Sequence, residues 1–116
     1  MSTTIYHNPR CSKSRETLTL LRQQGIEPSV VEYLKQPPSS NELQTILKQL
    51  GTSPRQLLRK GESDYKELKL SDTTLSDQQL ISAMVSHPKL IERPIVIHNN
   101  KAALGRPPEN ILEILK

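Results

Sequence analysis

The sequence has no tryptophan, no phenylalanine and only three tyrosines, Tyr6, Tyr33 and Tyr65. Stacking platforms for single-stranded nucleic acid are therefore nearly absent, and a core must be built from Leu, Ile, Val and Ala. Cysteine occurs once, at Cys11, so no internal disulfide can form. Any redox cycle at that residue has to be closed by a thiol from another molecule. No run approaches the roughly 18 apolar residues of a membrane span, and the opening Met-Ser-Thr-Thr-Ile-Tyr-His lacks a cationic segment followed by an apolar one. We therefore expect a soluble, cytoplasmic protein with no membrane partner. The net charge of +4 favours an anionic ligand but is far from a polybasic tail. With no basic helix and no helix-turn-helix pair, nucleic acid is not the expected partner. At 116 residues the chain fits a single domain, expected to span 1–116.

Thr3 to His7 is β-branched and aromatic and runs into Asn8-Pro9, which reads as a strand followed by a turn. Ser12 to Gln24 favours helix, with Leu18 and Leu21 inward and Gly25 as the stop. Ser29 to Leu34 makes a second strand, closed by Pro37-Pro38, and the resulting βαβ unit implies parallel strands. In the middle, Ser39 with Glu42 forms a capping box ahead of Leu43, Ile46, Leu47 and Leu50 at helical spacing, up to Gly51. Ser53 opens a short helix through Lys60, Asp64 to Leu70 is a brief helical turn, and Ser76 with Gln79 caps a helix with Leu80, Ile81, Met84 and Val85 inward. Ile95-Val96-Ile97, the turn Asn99-Asn100, and Lys101 to Leu104 predict a β-hairpin, after which Pro107-Pro108 introduces a final helix. The order βαβ, helices, ββα describes an α/β protein with a four-stranded mixed sheet. It is the order of a thioredoxin-like fold with a helical insertion, about 39–88, between its halves, although pattern alone leaves other α/β arrangements open.

Cys11 lies just beyond the first turn, at the start of the first helix. A free thiol of pKa ~8.5 is about 3 per cent ionised at pH 7, and the thiolate is the nucleophile. Lowering that pKa by two units needs about 2.7 kcal/mol of preferential anion stabilisation. A helix N-terminus supplies only ~0.3–1 kcal/mol when exposed. The flanking residues can contribute the rest: His7 and Arg10 precede the thiol, Lys13 and Arg15 follow it, and Ser14 can donate a hydrogen bond to the sulfur. A lone cytosolic cysteine is usually a small buried hydrophobe, but this one has polar or charged neighbours on both sides. Arg15 follows too closely to wrap a phosphate as in a phosphatase loop.

Tyr6-His7-Asn8-Pro9-Arg10-Cys11-Ser12-Lys13-Ser14-Arg15, Leu57-Leu58-Arg59-Lys60, Glu92-Arg93-Pro94-Ile95-Val96 and Leu104-Gly105-Arg106-Pro107 resemble the glutaredoxin-coupled arsenate reductases of the ArsC family, especially its YfgD-type branch. The resemblance runs in order from Ile5 to about Leu115. It implies a thioredoxin-like oxidoreductase, with no bound cofactor, that reduces arsenate to arsenite. The resemblance further implies that Cys11 forms a covalent adduct with arsenate, that glutathione serves as co-substrate, and that glutaredoxin resolves the remaining mixed disulfide. By the same resemblance His7 and Ser14 help keep the thiol ionised, and Arg59, Arg93 and Arg106 bind the oxyanion. A guanidinium suits that task independently, being always charged and presenting a fork of donors. A monomer is expected.

Other residues read more plainly. Arg59 by itself is a solvated surface arginine. Arg93 precedes a proline at a strand start, where a cis bond is an option, and Arg106 is held at a loop by Pro107. His87 is expected to interact with the carbonyls ending its helix, His98 to be exposed in the hairpin, and Glu62, Asp64 and Glu67 to form a solvated face. Separated histidines and one cysteine make no metal site. Ser12-Lys13 replaces a Gly-Thr pair beside the cysteine, and the chain stops at Lys116 without a longer tail. These departures leave room for a related thiol enzyme acting on another oxyanion or a mixed disulfide. The Spx-like regulators, which share the fold and bind RNA polymerase, are a further alternative, but many switch through Cys-x-x-Cys, and Ser14 occupies the second position here.

Overall fold

A computed structural model describes residues 2–115. Met1 and Lys116, the ends of the expected domain, lie outside the described residues. The chain forms two compact units, one from the segments up to Gln36 and from Arg93 onward, the other from Pro37–Glu92. The stretch read as an insertion falls inside the second.

The first unit contains β1 (Thr3–His7), α1 (Ser12–Gln23), β2 (Ser29–Glu32), β3 (Ile95–His98), β4 (Lys101–Leu104) and a closing 3₁₀ helix, Pro108–Leu115. The sheet order is β2-β1-β3-β4, with β1 parallel to β2 and antiparallel to β3, and β3 antiparallel to β4. Ile5 stands opposite Val96 in this register, so both side chains share one face. There they pack with Leu21 of α1 and with Ile111 and Ile114 of the closing helix. Burying side chains of this size stabilises by roughly 1.5–3 kcal/mol each. On α1 the buried positions are Ser14, Thr17 and Leu21, a three- and four-residue spacing that puts a polar pair at the site end of the same face. Leu18 packs partly buried against the core.

Two expectations for this unit change in detail. β2 ends at Glu32, short of Leu34, because the chain turns there: Lys35 N–H and Gln36 N–H both donate to Glu32 O at 2.9 Å. His98 is buried rather than exposed, at 6% accessibility, because β3 is an inner strand. Its Nδ1 lies 2.6 Å from Thr3 Oγ1, directly across the register. The hairpin turn is as expected, with Asn99 (φ 50°) and Asn100 (φ 67°) both left-handed. That pair of positive angles suits the twist of antiparallel strands, and asparagine tolerates it.

The second unit contains α2 (Ser40–Leu50), α3 (Pro54–Leu57), α4 (Ser63–Glu67), α5 (Asp77–Ser86) and a 3₁₀ segment, Pro88–Leu90. Capping boxes at Ser39, Ser53 and Ser76 start α2, α3 and α5, and Gly51 ends α2 at φ 71°. Leu43, Ile46, Leu47, Leu80, Ile81 and Met84 are buried, as their spacing requires. α3 stops at Leu57 instead of continuing to Lys60, because Leu58 leaves the helix to bridge Ile91. Arg59 N–H then donates to Leu90 O at 2.8 Å, which fixes the backbone that carries this arginine. The acidic residues are not simply solvated: Glu62 pairs with Arg59, and Asp64 Oδ2 lies 3.6 Å from His87 Nδ1. The His87 side chain therefore has a carboxylate partner in place of the helix-end carbonyls.

Candidate active site

Cys11 is the N-cap of α1, extended at φ −94° and ψ 123°, and its carbonyl accepts from Arg15 N–H at 3.0 Å. The loop before it is built around Asn8. Cys11 N–H donates to Asn8 O and Arg10 N–H to Asn8 Oδ1, both at 3.0 Å, a turn held by a side chain that mimics the backbone. Arg15 reaches back with Nη1 donating to Pro9 O at 3.0 Å. Its guanidinium thus clamps the loop, while Lys13 sits 3.8 Å from Glu16.

Ser14 is fully buried, and its Oγ accepts from Asn8 N–H at 3.0 Å and lies 2.6 Å from His7 Nδ1. The serine proton has no other acceptor among the described residues, so it points to Nδ1. This assigns the imidazole proton to Nε2. Burial, the leading cause, pushes the His7 pKa below its ordinary 6.5; Glu32 opposes this, and Arg15 and Arg22 add to it. His7 is therefore neutral at pH 7, and the positive charge expected from it beside the thiol is missing. The expected hydrogen bond from Ser14 to the sulfur is also not formed, because the hydroxyl is committed to His7.

The Cys11 side chain makes no capping bond to the first-turn N–H groups. The donor that reaches its sulfur is Arg106, whose Nη1 lies 4.0 Å from Sγ and donates to Arg93 O at 3.2 Å. Both arginines precede cis prolines, Pro94 and Pro107. The two proline loops are tied together: Gly105 N–H donates to Pro94 O at 2.9 Å, and Thr17 Oγ1 lies 3.4 Å from Gly105 O. A β-carbon at Gly105 would collide with the Thr17 hydroxyl and come within 2.8 Å of Pro94 Cγ. Only glycine permits this approach. Arg93 Nε is buried without a hydrogen-bond partner.

The first unit thus brings His7, Cys11, Ser14, Arg93 and Arg106 into one hydrogen-bonded neighbourhood. Arg59 belongs to the second unit. There its Nη1 is paired with Glu62 Oε1, its Nε lies 3.3 Å from Glu92 Oε1, and its side chain is 25% exposed. It is an oriented, half-buried arginine, not a freely solvated one.

The sequence model of the ArsC family matches residues 6–114. The chain belongs to the ArsC family. It is 59% identical over 112 residues to the uncharacterized protein YfgD of Escherichia coli K12, covering 96% of this chain and 94% of that one. It is 53% identical over 116 residues to an arsenate reductase of Haemophilus influenzae, covering 99% and 100%. Among solved structures, an arsenate reductase from Vibrio cholerae superposes with a TM-score of 0.96 at 57% identity, over 98% of each chain. The four-stranded mixed sheet with its helices is accordingly the thioredoxin-like fold of these ArsC-family structures.

In this ArsC-family chain, three structural supports escaped the sequence reading: Asn8 as the hub of the loop, Thr17 as a buried polar contact to Gly105, and Gly105 itself as the close approach. The Asn8-Pro9 turn and the glycine of Leu104-Gly105-Arg106-Pro107 were the available signals. The contact of Arg106 with Cys11, 95 positions away, had no local signal, and only the family resemblance had assigned both to one oxyanion. Among the described residues no group of three or more His, Cys, Asp or Glu is placed to hold a metal ion, and no helix is long and apolar enough to cross a membrane.

Proposed function

We propose that this ArsC-family protein reduces arsenate to arsenite using glutathione and glutaredoxin. The observation that carries the reading is the Arg106 guanidinium set against Cys11 Sγ, because it joins a nucleophile to a fixed cation of the kind that binds oxyanions. The relatives named arsenate reductase, at about half identity or more, support the same substrate. In the proposed cycle the Cys11 thiolate attacks arsenic and displaces an oxygen as hydroxide or water, giving a cysteinyl arsenate. A glutathione thiolate then attacks the Cys11 sulfur. The S–As electron pair passes to arsenic, which leaves as arsenite, and Cys11 remains in a mixed disulfide with glutathione. A glutaredoxin thiolate takes the glutathionyl group and returns the Cys11 thiolate.

Arg93, Arg106 and Arg59 are assigned to the anion's oxygens. The unpartnered Arg93 Nε supports its assignment, since a buried donor without an acceptor costs roughly 1–3 kcal/mol and an oxyanion would relieve that cost. For Arg59, Glu62 and Glu92 supply orientation. His7 and Ser14 assist the thiolate indirectly, by holding the loop that sets Cys11 at the helix start. We further assign the activity to a cytoplasmic monomer acting as one domain, with 39–88 as an insertion and no bound cofactor. Arsenite formation should require glutathione and glutaredoxin, each omitted in turn, and should vanish in Cys11→Ser. Full activity in that variant, or no arsenite from the complete mixture, overturns the proposal.

A further inference from the structure

Against the Asn8 turn lies a cavity of about 210 Å³ whose lining includes His7, Asn8, Arg10, Glu32, Leu34 and Lys35. It uses none of the three arginines assigned to the oxyanion. Arg10 bonds through its backbone to Asn8, and its guanidinium has no partner among the described residues. Lys35 Nζ lies 3.6 Å from Glu32 Oε1, an open pair with side chains 78% and 43% exposed. His7 is 6% exposed; its Nδ1 is taken by Ser14, and its Nε2–H, on the opposite side of the ring, has no protein partner among the described residues. His7, whose Nδ1 is engaged by Ser14, thus borders a cavity carrying two cations and one carboxylate.

That charge pattern selects among ligands. Glu32 disfavours a small anion such as arsenate, whereas a zwitterion with more than one carboxylate matches all three charges. Glutathione has two carboxylates and one α-ammonium. We propose that this cavity seats the glutathione tripeptide, with Arg10 and Lys35 taking its carboxylates, Glu32 its ammonium, and His7 Nε2–H donating to a peptide carbonyl. The cavity adjoins the thiol through the backbone: Arg10, which lines it, directly precedes Cys11, and the Asn8 that lines it accepts from Cys11 N–H at 3.0 Å. The seat would hold the tripeptide both before attack and while it is disulfide-bonded to Cys11. This inference rests on glutathione being the reductant proposed above.

The test is a ¹⁵N NMR titration of the whole protein with S-methylglutathione, which cannot react. Saturable shifts are expected at the amides of Asn8, Arg10, Leu34 and Lys35. Exposed charge contacts are weak, so Arg10→Ala and Lys35→Ala should each raise Kd about two- to fivefold, and the double variant about tenfold. Arg10→Lys should lie close to wild type. In turnover the KM for glutathione should rise by the same factors, with the KM for arsenate unchanged. Binding at these amides without arsenate turnover would support the seat while removing arsenate as substrate. Glutathione-dependent turnover with unmoved amides, or a double variant that binds like wild type, would overturn the seat and leave the reduction standing.

Discussion

Replacing Ser14 by alanine removes one hydroxyl and should unsettle the whole approach to Cys11. Ser14 is fully buried, accepts from Asn8 N–H at 3.0 Å and meets His7 Nδ1 at 2.6 Å. Each hydrogen bond contributes on the order of 1 kcal/mol net, and leaving the buried Nδ1 unpaired adds roughly 1 kcal/mol or more. The expected loss for Ser14→Ala is therefore about 3 kcal/mol, which leaves a folded protein if overall stability lies in the usual range of about 5–15 kcal/mol. Urea unfolding near neutral pH should show a lower midpoint with unchanged slope, because the loss is local and leaves compactness alone. A cycle with His7→Leu should return a coupling of about 1 kcal/mol or more, since the two side chains touch. The tautomer adds a second readout: imidazole nitrogen NMR should place the His7 proton on Nε2. A Ser14→Ala variant within about 0.5 kcal/mol of wild type, or a proton found on Nδ1, would refute this account of the loop.

Acidification should weaken the fold through His7. Its folded pKa lies below 6.5, so just under that value the unfolded chain holds more protons; its contribution is intact above pH 6.5 and is lost as pH falls below it, and an NMR titration midpoint for the His7 ring above 6.5 would contradict this. Gly105→Ala should lower stability by about 1–3 kcal/mol in thermal melts, because the added methyl meets Thr17 and Pro94. Ser76→Ala should cost about 1 kcal/mol in urea unfolding by removing the capping box of α5. Arg106→Lys should keep much of the alkylation rate of Cys11 by iodoacetamide, yet lose at least about tenfold in kcat/KM for arsenate, since charge survives but the bidentate fork does not. Equal losses in both assays would argue against separate roles.

Most of the fold was legible because its signals are local. The capping serines, the β-branched and aromatic run of β1, the Asn99-Asn100 turn and the helical spacing of α2 and α5 each depend on a few adjacent residues. What could not be read depends on residues distant in sequence. His98 looks like a turn-proximal polar residue until β3 is known to lie between β1 and β4, where Thr3 becomes its partner. α3 looks longer than it is because the pull on Leu58 comes from Ile91. At the site, position along the chain suggested a cation in His7 and a sulfur partner in Ser14. Burial neutralises the first and commits the second, and neither effect is visible without the packing of α1 against β1.

The charge beside the thiol must come largely from outside the loop that carries it. A thiolate at a helix start needs more stabilisation than the dipole alone provides. His7 is neutral and Lys13 is near Glu16, while Arg10 and Arg15 keep their charge but make no hydrogen bond to Sγ among the described residues, so the adjacent sequence supplies less than its composition promises. Arg106 remains, brought to Sγ by a loop that Gly105, Thr17 and Pro94 hold in place. A cation delivered by the far end of the chain ties the reactivity of Cys11 to the integrity of the sheet, because β4 ends one residue before Gly105. The local residues then have a different task, which is geometric. Asn8, Ser14, Arg15 and neutral His7 hold the backbone so that the sulfur meets Arg106. On this reasoning, variants in the loop should change how the thiol is presented, and variants in the proline loops should change the charge it faces.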